Sequence, residues 1–193
     1  MTYLESQAAL LDYRVRIEAL REEMRALQQA TTPQPVNDYV FQTLAGPVTL
    51  SQLFGDKSDL LMVHNMGTSC SSCTMWADGL NGVYQHLISK AAIALSSPDE
   101  PAVQQRFAGD RGWRMPMVSH AGSAFNADMG FAGPDGGCWP GVSSFRKIDG
   151  SIVRLSDAHL GPGDGFCIVY DLLALFPENS REFTPKFQYF KTH

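Results

Sequence analysis

Apolar residues near the start of the chain recur at alternating spacings of three and four: Leu10, Tyr13, Ile17, Leu20, Met24 and Leu27. Arg14, Arg16, Glu18, Arg21, Glu22, Glu23 and Arg25 occupy positions between them. That period predicts an amphipathic helix over residues 1–30 with a narrow apolar seam. Fewer than three heptads are short for an independent coiled coil. The seam is therefore a docking surface, either for the rest of the same chain or for a second copy, which would make a homodimer. Thr31, Thr32, Pro33, Gln34 and Pro35 end the helix and open a linker over 31–38.

Beyond the linker the pattern changes to alternating short strands and helices. Residues 39–44 alternate as a strand does, Gly46-Pro47 turns the chain, and Ser51 caps a short helix through Phe54. Residues 60–63, Leu-Leu-Met-Val, are a continuous apolar run suited to a strand covered on both faces. A helix-like stretch follows from about Cys73 to Lys90, and residues 91–95 form a second apolar strand. Ser97-Pro98-Asp99-Glu100 reads as a helix start, with a cap, proline at the first position and acids in the first turn; Gly109 and Gly112 close that helix. Strand, helix, strand, helix in succession implies a parallel sheet with right-handed crossovers.

The last third is different. Residues 130–141 are too rich in glycine and proline for regular structure and read as a long surface loop. Residues 142–148 and 151–155 flank Asp149-Gly150, the dipeptide favoured in a two-residue type I′ hairpin turn. Residues 166–176 are apolar over a helical length, and 177–193 form a C-terminal tail. The domain is expected over 39–176, as an α/β structure with a central mixed sheet, helices on both faces and an N-terminal helical extension.

Composition narrows the partners. The chain has 193 residues, 44% of them hydrophobic, and a formal charge of -5, enough for one domain with a real core. Its 15 lysines and arginines are scattered without a basic stripe, which argues against nucleic acid. No apolar run reaches membrane-spanning length, and the first residues lack the basic region of a secretory signal, so the expected location is the cytoplasm. Four cysteines are too sparse for a structural disulfide framework. In a reducing compartment a Cys-x-x-Cys unit points to redox chemistry or metal binding instead.

That unit is Cys70-Ser71-Ser72-Cys73, between the 60–63 strand and the helix after it. A thiol in the first turn of a helix meets unsatisfied backbone N–H groups and the positive end of the dipole, which favour thiolate over thiol. A thiol three residues on has its Cα roughly 5–6 Å away, within disulfide reach. Cys70 is then the nucleophile and Cys73 the resolving thiol, with the disulfide itself as the redox group and no added cofactor or metal. Cys138, in the Gly/Pro loop, is a candidate extra thiol, and Cys167 reads as a small buried hydrophobe. On the cysteine helix, Trp76 reads as packing and Asp78 as a solvated or locally bonded group.

Residues 39–176 resemble the thioredoxin-like superfamily, with details similar to a branch labelled predicted dithiol-disulfide oxidoreductases, related to peroxiredoxin-like proteins of the AhpC/TSA type. The segments that carry the resemblance are His64-Asn65-Met66-Gly67, the Cys70–Cys73 unit with Trp76-Ala77-Asp78, Phe125-Asn126-Ala127-Asp128, and Tyr170-Asp171-Leu172-Leu173 followed by Pro177. The resemblance implies a thioredoxin-like fold and a thiol–disulfide oxidoreductase acting on a disulfide or peroxide with a thiol electron donor. It does not imply which substrate. Thioredoxins carry a buried acid six residues before the first cysteine; here His64 takes that place and is the candidate to accept a proton from Cys73 or to hold Cys70 as an ion pair. Two departures stand out. Ser69, Ser71 and Ser72 replace the thioredoxin Trp-Cys-Gly-Pro-Cys surroundings, and the region aligned with the thioredoxin cis-proline is Val142-Ser143-Ser144, with Pro140 falling early. A peroxiredoxin-like peroxidase, with Cys73 or Cys138 resolving a sulfenic acid, is the alternative, although the usual Pro-x-x-x-Thr-x-x-Cys is absent. A non-catalytic module, or one binding zinc or copper through Cys70, Cys73 and His64, is the further alternative.

Overall fold

The structure, a computed structural model, describes residues 1–176 and 183–189. Two compact units divide the chain, Met1–Gln34 and Pro35–His193. The first unit is the expected helix, α1 (Tyr3–Ala30). A capping box starts it: the Glu5 N–H donates to Thr2 Oγ1, and the Thr2 N–H donates to the Glu5 carboxylate at 2.7 Å. Arg25 bonds Glu18 and Glu22 along one face, and Thr31 is the C-cap, two residues before Pro33.

Among the described residues, eight strands form one mixed sheet in the order β1-β8-β7-β4-β5-β6-β2-β3. The strands are β1 (Gln34–Val36), β2 (Val40–Thr43), β3 (Gly46–Thr49), β4 (Asp59–His64), β5 (Ala92–Ser97), β6 (Met117–Ser119), β7 (Gly141–Ile148) and β8 (Ser151–His159). β4, β5 and β6 run parallel; β7 joins β4 antiparallel, and β8 joins β7 antiparallel.

The apolar run of β4 works as expected, with its side chains alternating between two cores. Leu60 and Met62 face a cluster containing Phe41, Leu50, Phe54, Phe125, Phe131 and Phe145. Leu61 and Val63 face the other side with Ile93, Leu95, Ala77 and Trp113. Both faces of β4 are covered by packed side chains, which is what a continuous apolar run requires. At about 2–3 kcal/mol for each fully buried large side chain, these two clusters dominate over any exposed ion pair.

The helices are α2 (Leu50–Leu53), α3 (Ser71–Gly82), α4 (Tyr84–Ile88), α5 (Pro101–Arg111), α6 (Phe125–Asp128) and α7 (Ile168–Leu173). Several boundaries differ from expectation, each for a local reason. The β2–β3 turn falls at 44–45, and Pro47 lies inside β3, an edge strand where its missing N–H breaks no ladder. Thr49, with Gln52, caps α2, while the Ser51 N–H and hydroxyl both donate to Asp38, each at 2.7 Å. The stretch expected as one helix from Cys73 to Lys90 begins two residues earlier and is interrupted at Val83, after Gly82. The helix expected to start at Ser97-Pro98 starts instead at Pro101 and ends on Gly112, whose φ of 64° supplies the left-handed cap. The hairpin turns on Asp149 (φ 48°) and Gly150 (φ 81°), the paired positive angles of a type I′ turn. No peptide bond among the described residues is cis, that of Pro140 included. Residues 177–182 and 190–193 of the expected tail lie outside the described residues; Phe183 packs on a third cluster of Trp76, Leu160, Cys167 and Tyr170.

Candidate active site

β4 ends at His64, and a five-residue crossing leads to Cys70, the N-cap of α3. Cys70 and Cys73 are joined by a disulfide, their Cα atoms 5.3 Å apart. The Cys73 N–H donates to Cys70 Sγ at 3.1 Å, so the first cysteine sulfur occupies the place a capping oxygen would take. Thr74 closes the turn from the other side, its hydroxyl donating to the Cys70 carbonyl at 2.9 Å. Cys73 is 3% exposed whereas Cys70 is only half-buried. One sulfur is therefore open to an incoming group and the other is not.

The crossing is held by its neighbours. Asn65 donates its N–H to Ser96 O at 2.9 Å and accepts the Gly67 N–H on Oδ1 at 2.8 Å. Gly67 has φ +105°, and a Cβ there would lie 3.0 Å from a carboxylate oxygen of Asp99; both facts demand glycine. The Asp99 carboxylate accepts from the Thr68 N–H at 2.9 Å, the Thr68 hydroxyl at 3.3 Å and the Ser97 hydroxyl at 3.0 Å. The sequence pattern assigned Asp99 to a helix first turn. In the fold it ties the segment before Cys70 to the end of β5.

His64 sits on the last residue of β4 but does not join the cysteines. Its Nε2 is 2.9 Å from Ser143 Oγ on β7, and its ring stacks on Phe131 (centroids 3.9 Å) and Phe125 (5.3 Å). Nδ1 has no hydrogen-bond partner. At 1% exposure, burial pushes its pKa down to about 3, helped by His120 and opposed by the Asn126 side chain. An imidazole held neutral in this way is not a cation for a Cys70 thiolate to pair with. The Phe125-Asn126-Ala127-Asp128 segment builds this cage: the Asn126 amide donates to Phe131 O at 2.8 Å, and Asp128 accepts the Tyr39 hydroxyl at 2.7 Å.

A second histidine, which the sequence pattern did not single out, faces a thiol. His120 follows β6; its Nδ1 lies 2.8 Å from Ser96 Oγ and its Nε2 3.5 Å from Cys138 Sγ. Burial pushes the His120 pKa down, with Asp99 acting against it. Burial pushes the Cys138 thiol up, and Asp99 adds to that. Cys167 is buried beneath α3, as its apolar setting predicted, and Trp76 packs beside it. Asp78 is not a local group: it pairs with Arg111 and accepts the Trp113 indole N–H at 2.8 Å, joining α3 to the end of α5. No group of three or more His, Cys, Asp or Glu side chains among the described residues is arranged to hold a metal ion, and no helix there is long and apolar enough to cross a membrane.

A dithiol at the start of the helix after β4, a parallel β4-β5-β6 core and a terminal hairpin define the thioredoxin-like fold in its peroxiredoxin-related form, and solved structures match it. A cysteine-to-serine mutant of Xanthomonas campestris peroxiredoxin Q superposes with TM-score 0.53 at 16% identity, over 62% of this chain and 79% of that one. Peroxidoxin BcpB from Mycobacterium tuberculosis gives 0.55 at 22% identity, over 66% and 84%. Reduced Prx3 from Vibrio vulnificus, in complex with hydrogen peroxide, gives 0.52 at 14%, over 69% and 90%. No curated protein is significantly similar in sequence. The chain belongs to the family DUF899, described as bacterial protein of unknown function, whose model matches residues 1–193.

Proposed function

We propose that this chain is a dithiol–disulfide oxidoreductase with Cys70 as nucleophile and Cys73 as resolving thiol. The observation that carries the reading is the Cys70–Cys73 pair at the N-terminus of α3, with the first sulfur half-buried and the second enclosed. Reduced Cys70, facing the free N–H groups of a helix start, is set up as a thiolate. It attacks one sulfur of a substrate disulfide, forms a mixed disulfide and releases the first thiolate. Cys73, one turn along, then attacks Cys70 Sγ, re-forms the internal disulfide and releases the second thiol. A thiol donor reverses the sequence to reduce the pair. The same reading puts the protein in a reducing cytoplasm, where such a donor is available. His64 acts in it as a packed residue, stacked on Phe131 and Phe125 at the end of the strand that leads to the dithiol.

The test is turnover of a model disulfide by the purified protein with dithiothreitol as donor. Cys70→Ser is expected to lose at least a hundredfold, and reduced Cys73→Ser, freed of dithiothreitol before substrate is added, to hold one substrate thiol covalently on Cys70. Full activity in Cys70→Ser would overturn the reading. The likeness to solved peroxiredoxins favours a second one, in which Cys70 reduces a peroxide and Cys73 condenses with the resulting sulfenic acid, expelling water. Saturable, Cys70-dependent consumption of hydrogen peroxide, without disulfide turnover, is the result that would select it.

A further inference from the structure

Cys138 sits in the loop between Phe131 and β7, pinned by a bridge to Ala132, and its sulfur faces the Nε2 of His120 at 3.5 Å. The other ring nitrogen is fixed by Ser96 Oγ at 2.8 Å. Thiol, imidazole and hydroxyl in this order form the arrangement of a nucleophile, its base and the group that orients the base. The ring is buried and the thiol half-buried, and burial pushes the imidazole down and the thiol up; the two contacts fit an S–H donating to Nε2 and an Nδ1–H donating to Ser96 Oγ. A proton can then leave Cys138 when an electrophilic sulfur is presented.

Cys70 lies at the same end of the sheet. Ser96 on β5 pairs in register with His64 at the end of β4, six residues before Cys70. His120 follows directly on β6, the next parallel strand. Asp99, which holds Thr68 two residues before Cys70, also acts electrostatically on both His120 and Cys138. Both thiol centres therefore open at the C-terminal ends of the same three parallel strands.

Resting on the oxidoreductase reading, we propose that Cys138 is a third redox thiol of this site, with His120 as its base, which takes the disulfide over from the Cys70–Cys73 pair. The Cys138 proton passes to His120 Nε2 and the Cys138 sulfur attacks Cys70 Sγ. The Cys70–Cys73 bond breaks and the Cys70–Cys138 bond forms. Cys73 leaves as a thiolate and takes the proton back from the imidazolium. No net electrons enter or leave, so the step needs no further oxidant. Its effect is to move the oxidised bond from an enclosed sulfur to one on a surface loop beside the exposed Trp139.

The experiment uses the full chain carrying Cys73→Ser, with glutathione disulfide as the electrophile, followed by alkylation and non-reducing peptide mapping. Glutathione first joins Cys70; the expected outcome is its displacement by Cys138, leaving a Cys70–Cys138 linked peptide as the main product. His120→Asn should slow that displacement at least tenfold, with free imidazole restoring it, a recovery that a merely structural role for His120 would not show. Cys138→Ser in the same background should retain glutathione on Cys70. Circular dichroism confirms that each variant is folded. Glutathione retained on Cys70 while Cys138 stays free to alkylate overturns the relay alone. Failure of Cys70 to take up glutathione at all overturns the oxidoreductase reading and the relay with it.

Discussion

His64 shows how far a residue's chemistry depends on what encloses it. In solution an imidazole titrates near neutrality; against Phe131 and Phe125, with Nδ1 unpartnered, it stays neutral down to about pH 3. The folded pKa lies below the unfolded one of 6.5, so the unfolded state binds the extra proton between those values, and stability falls as pH drops through that window. From pH 6.5 to pH 4 the contribution is about 3 kcal/mol. Urea unfolding at the two pH values should show wild-type protein losing about that much more than His64→Gln; equal losses would mean that His64 is not held neutral by burial. The position of His64 was legible from its spacing to Cys70, but its state was not, because the groups that set it come from β7 and from the loop at 131. The Cys70–Cys73 pair was legible in full, since its geometry is local to one helix turn.

Among the elements, the end of β4 and the start of β7 fit each other through an absence of side chain. Gly141 pairs with His64 across the ladder, and a Cβ at 141 would run into the Phe131 ring and lie 2.8 Å from the Ala158 carbonyl. Gly141→Ala should therefore destabilise the protein by about 2–3 kcal/mol, measured by urea unfolding. Gly79→Ala, in the middle of α3 with nothing within 4 Å of the new methyl, should instead stabilise by about 0.5–1 kcal/mol. The reverse ranking would contradict the packing described. Elements with strong periodicity, β4, β5, α1 and the β7–β8 hairpin, could be read from the sequence. β6 could not: three residues are too few for a pattern. The start of α5 was misread because Ser97 and Asp99 match a helix-cap signature locally, while the fold uses Ser97 in a strand pair with Ser119 and Asp99 to hold Thr68.

Across the whole molecule, the parallel strands β4, β5 and β6 deliver His64, Ser96 and His120 to one end of the sheet, and the crossing after β4 delivers the dithiol to the same end. Strand–helix alternation is enough to infer that sheet, and the strand-to-helix junction is enough to place the Cys70–Cys73 pair at its end. What brings Cys138 there is an irregular loop, whose course is set by Phe131 entering the core and by Asn126 bonding its carbonyl, not by any periodic pattern. A redox titration of the purified full chain in glutathione and dithiothreitol buffers, with alkylation and mass mapping of the paired cysteines, tests the central claim most directly. A reversible Cys70–Cys73 bond with a potential in the roughly -120 to -270 mV span of dithiol oxidoreductases is the predicted result. A pair that neither forms nor breaks reversibly across that span would contradict it.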